Sequence, residues 1–205
     1  MSQMRVPARR RDPDGPLARL RVATAQAHHD LDSSLGVLDR PWGPDRHRRW
    51  LGLTWGLLAP LERTLSAFAL REPGVLDLVS RARADLALAD LRVLGADDAE
   101  IGALRECPTV PVATDRAAAL GISYVLDGST LGGGLIAGAV VSAGVPVEAT
   151  TSLTGAEGAG RRWRETMAAI EAAGEAAVPG MTAAAVATFA AYRSWLSPLV
   201  VEVAS

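Results

Sequence analysis

The chain has 205 residues, enough for one domain with a sizeable core, and its 21 basic and 23 acidic side chains leave a net charge of −2. That balance excludes bulk attraction to nucleic acid or to an anionic membrane, so neither is an expected partner. All the basic residues are arginine, which rules out a Walker A loop and any lysine Schiff base. The single cysteine, Cys107, rules out an intramolecular disulfide and a cysteine-rich metal site, in keeping with a cytoplasmic protein.

Residues 1–15 carry arginines and prolines but no apolar core of the kind a signal peptide needs, and read as a disordered leader. Residues 16–205 read as a single helical domain. Apolar positions at Leu17, Leu20, Leu31 and Leu35, opened by Pro16 in a natural first-turn position, predict a first helix. Trp50, Leu53, Leu57, Leu58, Leu61 and Leu65 give a second amphipathic stripe, entered through Pro44 and Asp45. The stretch "VLDLVSRARADLALADLRVLG" predicts a third helix that stops at Gly95. A loop with Cys107, Pro108 and Pro111 follows. Then come a glycine-bearing helix from about Asp115, the helix "RRWRETMAAIEAAG", and the helix "TAAAVATFAAYRSWL", stopped near Pro198. No apolar/polar alternation persists and no internal repeat occurs, so the expectation is an all-α multi-helix bundle with alanine-rich surfaces for close packing. The uncharged run from Gly128 to Val147 approaches the length of a membrane span. Its glycine, serine and threonine content, with Asp127 at its edge, favours a soluble helix.

Two features on these helices could carry chemistry. His28 shares a face with Leu17, Leu20, Thr24, Leu31 and Leu35, whereas His29 falls beside Val22, Ala25, Asp32 and Ser33. The period therefore predicts His28 inward and His29 outward. An inward histidine is either a hydrogen-bonded core residue or an axial ligand to a heme iron. The second feature is "YVLDGSTLGGG", with four glycines in a helical context. Each costs about 1 kcal/mol relative to alanine in a helix interior. Gly128 and Gly132 are four apart and share a face, opening a strip of bare backbone, and glycine/serine pairs also permit a kink. Such a strip suits close packing of another helix or contact with a flat ligand.

Together these stretches resemble the heme oxygenase family, in particular the bacterial heme oxygenases that accompany bacteriophytochromes. "LRVATAQAHHDLD" is similar to the family's proximal helix, and in that register His28 is the iron ligand, Arg21 the basic residue that pairs with a heme propionate, and Asp32 the acid after the histidine. "YVLDGSTLGG" is similar to the distal helix with its Gly-Ser-x-Leu-Gly signature, placing the backbone of Gly128 and Gly132 over the heme face. "RARADLALADLRVLG", "RRWRETMAAIE" and "TFAAYRSWL" are weaker matches in the family's order. The resemblance implies a heme oxygenase-like bundle with a glycine-kinked distal helix. It implies an enzyme that cleaves heme, both cofactor and substrate, with O2 and an external reductant to biliverdin, iron and carbon monoxide. A ferredoxin or similar donor and a bacteriophytochrome receiving biliverdin are the implied partners. The implied site comprises His28 with Gly128, Ser129 and Gly132, and heme contacts from Arg21, Thr24, Tyr124 and Phe189.

Other readings stay open for several of these residues. The Ser129 hydroxyl either assists oxygen or bonds back to its own helix. Tyr124 and Phe189 are either pocket walls or core. Arg161, Arg162 and Arg164 either meet the propionates or form a solvated run. Family members often carry basic residues just beyond the distal glycines, whereas "GGGLIAGAVVSAG" has none. A heme- or tetrapyrrole-binding protein without turnover is therefore the alternative. A di-iron oxygenase needs Glu-x-x-His pairs on bundle helices, and the chain has none.

Overall fold

A computed structural model describes residues 13–78, 81–155 and 158–201. The expected leader lies outside the described residues up to position 12, and residues 13–15 form the turn before the first helix. There is no strand among the described residues. The helices are α1 (Pro16–Leu35), α2 (Pro44–Arg71), α3 (Ala84–Val93), α4 (Asp98–Gly102), α5 (Arg116–Ser142), α6 (Thr151–Thr154), α7 (Ala159–Ala173), α8 (Val178–Leu196) and α9 (Pro198–Val201). Short 3-10 turns lie at Val147–Thr150 and Glu175–Ala177.

The boundaries follow local chemistry. Pro16 and Pro44 open α1 and α2, where a missing N–H costs nothing. Gly36 closes α1 at φ +47°, and its N–H bonds Asp32 O at 3.1 Å. Gly95, at φ +83°, closes α3 in a Schellman arrangement: its N–H reaches Arg92 O while that of Ala96 reaches Leu91 O. Asp115 caps α5 by accepting the N–H of Ala118 at 2.8 Å. Inside α2, Pro60 has no N–H for the carbonyl of Gly56, and the N–H of Cys107 takes that carbonyl at 2.8 Å instead. A side chain at Gly56 would lie 2.3 Å from Arg105 O, so this position needs glycine to seat the loop.

Two expectations are corrected. The third helix starts at Ala84, not near Val75, because Glu62 of α2 accepts the N–H groups of Arg83 and Ala84 at 2.7 and 3.1 Å and ends the helix from outside. Burial pushes the Glu62 carboxyl above its ordinary range, with those two N–H groups opposing the shift. The loop around Cys107 is preceded by a helix that the period did not reveal, α4, formed on a capping box between Asp97 and Glu100.

α8 is the central element. It packs along both α5 and α1, while α1 and α5 have little contact with each other. Arg19–Glu175 at 3.0 Å, the His28–Phe189 ring contact and Arg193–Asp30 at 3.7 Å follow one another along α1 and α8, so the two run parallel. α7 closes one end by packing on α1 and α5. The core is built from Leu20, Leu51, Leu57, Leu58, Leu61, Phe68, Leu120, Ile122, Ile170, Met181 and Leu196, all essentially free of solvent contact. Among the described residues α5 is the one helix long and apolar enough to cross a membrane. It runs unbroken through its glycines, and none of those within it takes a positive φ.

Candidate functional site

α1 and α5 both lean on α8 and make little contact with each other, while α7 packs on both. Phe189 of α8 meets the His28 ring edge-on, with centroids 5.4 Å apart. Tyr192, less than one turn further along α8, adjoins Ser129 and Arg83 through its hydroxyl. Neighbouring residues of α8 thus touch the predicted proximal residue on α1 and the predicted distal residue on α5.

His28 is not inward. Its side chain is 61% exposed, and His29 is exposed as well. The leucines that share its stripe, Leu17, Leu20 and Leu35, are buried because α8 and its neighbours cover them. His28 lies at the edge of the stripe, in contact with Phe189 but largely exposed. The ring is nevertheless oriented: Nδ1 lies 3.0 Å from Asp32 Oδ2, one helical turn on. With Nδ1–H donated to that carboxylate, the Nε2 lone pair is available, and Nε2 meets no hydrogen-bond partner among the described residues.

The other nominated residues differ in what they meet. Arg21, two turns before His28, is exposed and reaches Met167 Sδ on α7 at 3.4 Å. Thr24 is buried, its hydroxyl donating to Leu20 O of its own helix at 2.8 Å. Phe189 is buried against His28. Tyr124 lies beside Trp163 of α7, with ring centroids 5.7 Å apart. A Cβ at Gly128 would also touch Trp163, at 3.6 Å, so an indole already covers that glycine. Gly132 faces open space. The glycine held under tightest contact was not among those nominated: a Cβ at Gly133 would lie 1.8 Å from Leu153 O of α6. The Ser129 hydroxyl donates to Leu126 O at 2.8 Å and accepts from Arg83 Nη2 at 2.8 Å, which satisfies it within the protein.

Two buried arginines hold the distal helix in place, and the period gave no sign of either. Arg83 donates to Leu126 O at 3.0 Å and Ser152 O at 3.2 Å besides Ser129, joining α5 to α6. Arg81 pairs with the buried carboxylate of Asp127 on α5 and with Glu165 at 2.9 Å on α7. It also donates to Arg162 O at 3.1 Å and Thr166 Oγ1 at 3.0 Å, and Thr166 in turn donates to Asp127 at 2.5 Å. Asp127, ionic in an otherwise apolar helix, was the available signal, because a buried carboxylate demands a partner. Burial raises the pKa of the Tyr192 hydroxyl, and Arg83 and Ser129 beside it oppose the rise. Of the three arginines on α7, Arg162 is buried, whereas Arg161 is exposed and paired with Glu165 at 2.7 Å. The solvated-run reading therefore does not hold for Arg162.

A cavity of about 960 Å3 lies elsewhere, lined in part by Arg48, Gly52, Leu53, Ile101, Leu104 and Trp195 from α2, α4 and α8, and none of the nominated residues lines it. The chain matches no protein-family model and no curated protein. The expected resemblance to heme oxygenases thus rests on the sequence motifs alone.

Proposed function

We propose that the chain is a heme oxygenase, holding heme as cofactor and substrate between α1 and α5 and cleaving it to biliverdin, iron and carbon monoxide. The observation that carries this reading is the exposed His28 beside Phe189, with its Nδ1 turned to Asp32 at 3.0 Å so that Nε2 is the nitrogen left for an iron. A single histidine suits an iron whose other ligands would come mainly from a macrocycle. Among the described residues no group of three or more His, Cys, Asp or Glu side chains could hold a bare ion. Bound iron would supply the oxygen chemistry, with electrons from an external donor such as a ferredoxin. His28 Nε2 would bind the iron, and Asp32 would keep the ring in the tautomer that leaves Nε2 free. Arg21, beside α7, would neutralise a propionate. Phe189 would shield the site from water, and Gly132 would let the α5 backbone approach a flat ring, with a bend at the glycines on loading. Cytoplasmic location and delivery of biliverdin to a bacteriophytochrome belong to the same reading.

A second reading, heme or tetrapyrrole binding without turnover, has its own support. Ser129 is committed to Arg83 and Leu126 O, and Gly128 lies under Trp163, so two of the nominated distal groups are already engaged within the protein. One experiment separates the readings. Titration with hemin should give a Soret band of a histidine-ligated protein that is lost in His28→Ala and kept in His29→Ala. Addition of ascorbate or a ferredoxin system, with catalase present, should then yield extractable biliverdin. A stable heme spectrum under these conditions supports the second reading, and equal behaviour of the two histidine variants rejects both.

A further inference from the structure

His47 is the third histidine, and nothing in the proposed chemistry uses it. It is 0% exposed, in the first turn of α2. Its Nε2–H donates to Ala149 O at 2.6 Å, in the 3-10 turn Val147–Thr150. That bond assigns the remaining lone pair to Nδ1, which is buried with no partner among the described residues. Around it stand Trp42, whose ring centroid is 5.9 Å away, and Trp50, which meets Trp42 at 5.7 Å. Both indole N–H groups are buried donors, so they offer nothing to a second N–H.

The turn held by His47 leads directly into α6, whose start is held by Asp90 of α3. Asp90 accepts from the N–H and hydroxyl of Thr151 and of Ser152, at 2.5 to 3.1 Å. Two residues on, Leu153 O meets the face of Gly133 on α5, and Ser152 O binds Arg83, which holds Ser129. A single strap, residues 147–154, therefore backs the distal half of α5 and is fixed at one end by a neutral imidazole.

We propose that His47 is an acid-sensitive latch: protonation drives its imidazole out of the tryptophan cage, frees the strap at Ala149 and withdraws support from α5 at Gly133. The cost of protonation is set by the charges facing the ring. Asp90 of α3 attracts an imidazolium, but its oxygens already serve four donors. Glu148 on the turn is exposed, Arg46 stacks on Trp42 at 4.4 Å, and Arg48 is tied to Leu94 O and Glu100. Protonation at Nδ1 keeps the Nε2–H, so the Ala149 bond itself favours the imidazolium and only burial opposes it. Burial prevails over that bond and over Asp90 and lowers the His47 pKa from the ordinary 6.5. The opened strap thus takes up a proton more readily than the closed one. The closed form keeps its full advantage above pH 6.5 and loses it as pH falls from there toward the lowered value.

The experiment is amide hydrogen exchange of residues 147–154 and 130–135 between pH 7.5 and 5.0, corrected for intrinsic rates, on the wild type and on His47→Gln. Gln keeps a donor for Ala149 O and does not titrate. The opening constant in the wild type should rise about tenfold per pH unit below 6.5, the limit for uptake of one proton, while H47Q stays flat. A shared pH dependence, or a flat wild type, overturns the latch. If H47Q does not fold, ring NMR of wild-type His47 decides: titration below pH 6.5 with coupled shifts of the Ala149 and Thr151 amides supports the latch. Titration without those shifts overturns it.

Discussion

The two halves of α5 carry glycine for opposite reasons. Up to Gly128 the helix is enclosed. A Cβ at Gly121 would lie 2.3 Å from Met181 O, Asp127 is clamped by Arg81, and Trp163 covers Gly128. Beyond it one side opens: Leu131 and Leu135 are 55% and 69% exposed, and Gly132, Gly134 and Gly138 face open space. Only Gly133, against Leu153 O, is confined there. A glycine-rich helix therefore does not announce a ligand. Some of its glycines are demanded by a neighbouring backbone and others by nothing within the protein, and only the second kind leaves room for a flat molecule.

The contrast can be tested from its strongest point downward. Asp127→Ala, in the enclosed half, leaves the buried Arg81 without that carboxylate and should cost about 3–5 kcal/mol in chemical denaturation. A loss below about 1 kcal/mol would mean that the arginine reaches water. Gly133→Ala forces α5 away from α6 and should cost about 1–3 kcal/mol, whereas Gly132→Ala, one residue earlier, should stabilise the heme-free protein by up to about 1 kcal/mol. Thermal unfolding of the two side by side would erase the distinction if they moved together. The sharper version is Gly132→Leu, expected to leave helical content unchanged by circular dichroism and to weaken hemin binding; unimpaired binding would return Gly132 to the packing category. The smallest effect on the fold belongs to His28→Ala, within about 0.5 kcal/mol because the side chain is exposed. A larger loss would show that its contact with Phe189 is structural.

Much of the frame was legible because local signals decide it. Pro16 and Pro44 at helix starts, Gly95 as a stop and the 3.6-residue period located α1, α2, α5, α7 and α8. What stayed hidden depends on distant partners. The false start of the third helix could not be seen without Glu62 arriving from α2 to take its first N–H groups. α4 alone left a local signature unused, the Asp97–Glu100 box. At the candidate site, periodicity correctly placed His28 beside the buried leucines. It then failed on burial, because a helical face says where a Cβ points and not whether another helix stands opposite. Ser129 was read equally well either way, and Arg83, 46 residues earlier in the chain, is what commits its hydroxyl.

The parallel seating of α1 on α8 also sets a condition on how the chain is made. The apolar side of α1, with Leu17 and Leu20, receives its main partner only when Val178–Leu196 emerges from the ribosome. At roughly 5–20 residues per second that delay is on the order of ten to thirty seconds. Until then α1 lacks its main partner and, as an isolated helix, is marginal in water, and α5 also lacks the floor it will rest on. Translation speed between α1 and the end of α8, and the chaperones that shelter apolar segments meanwhile, should thus bear on the yield of folded protein more than any codon in α1 itself.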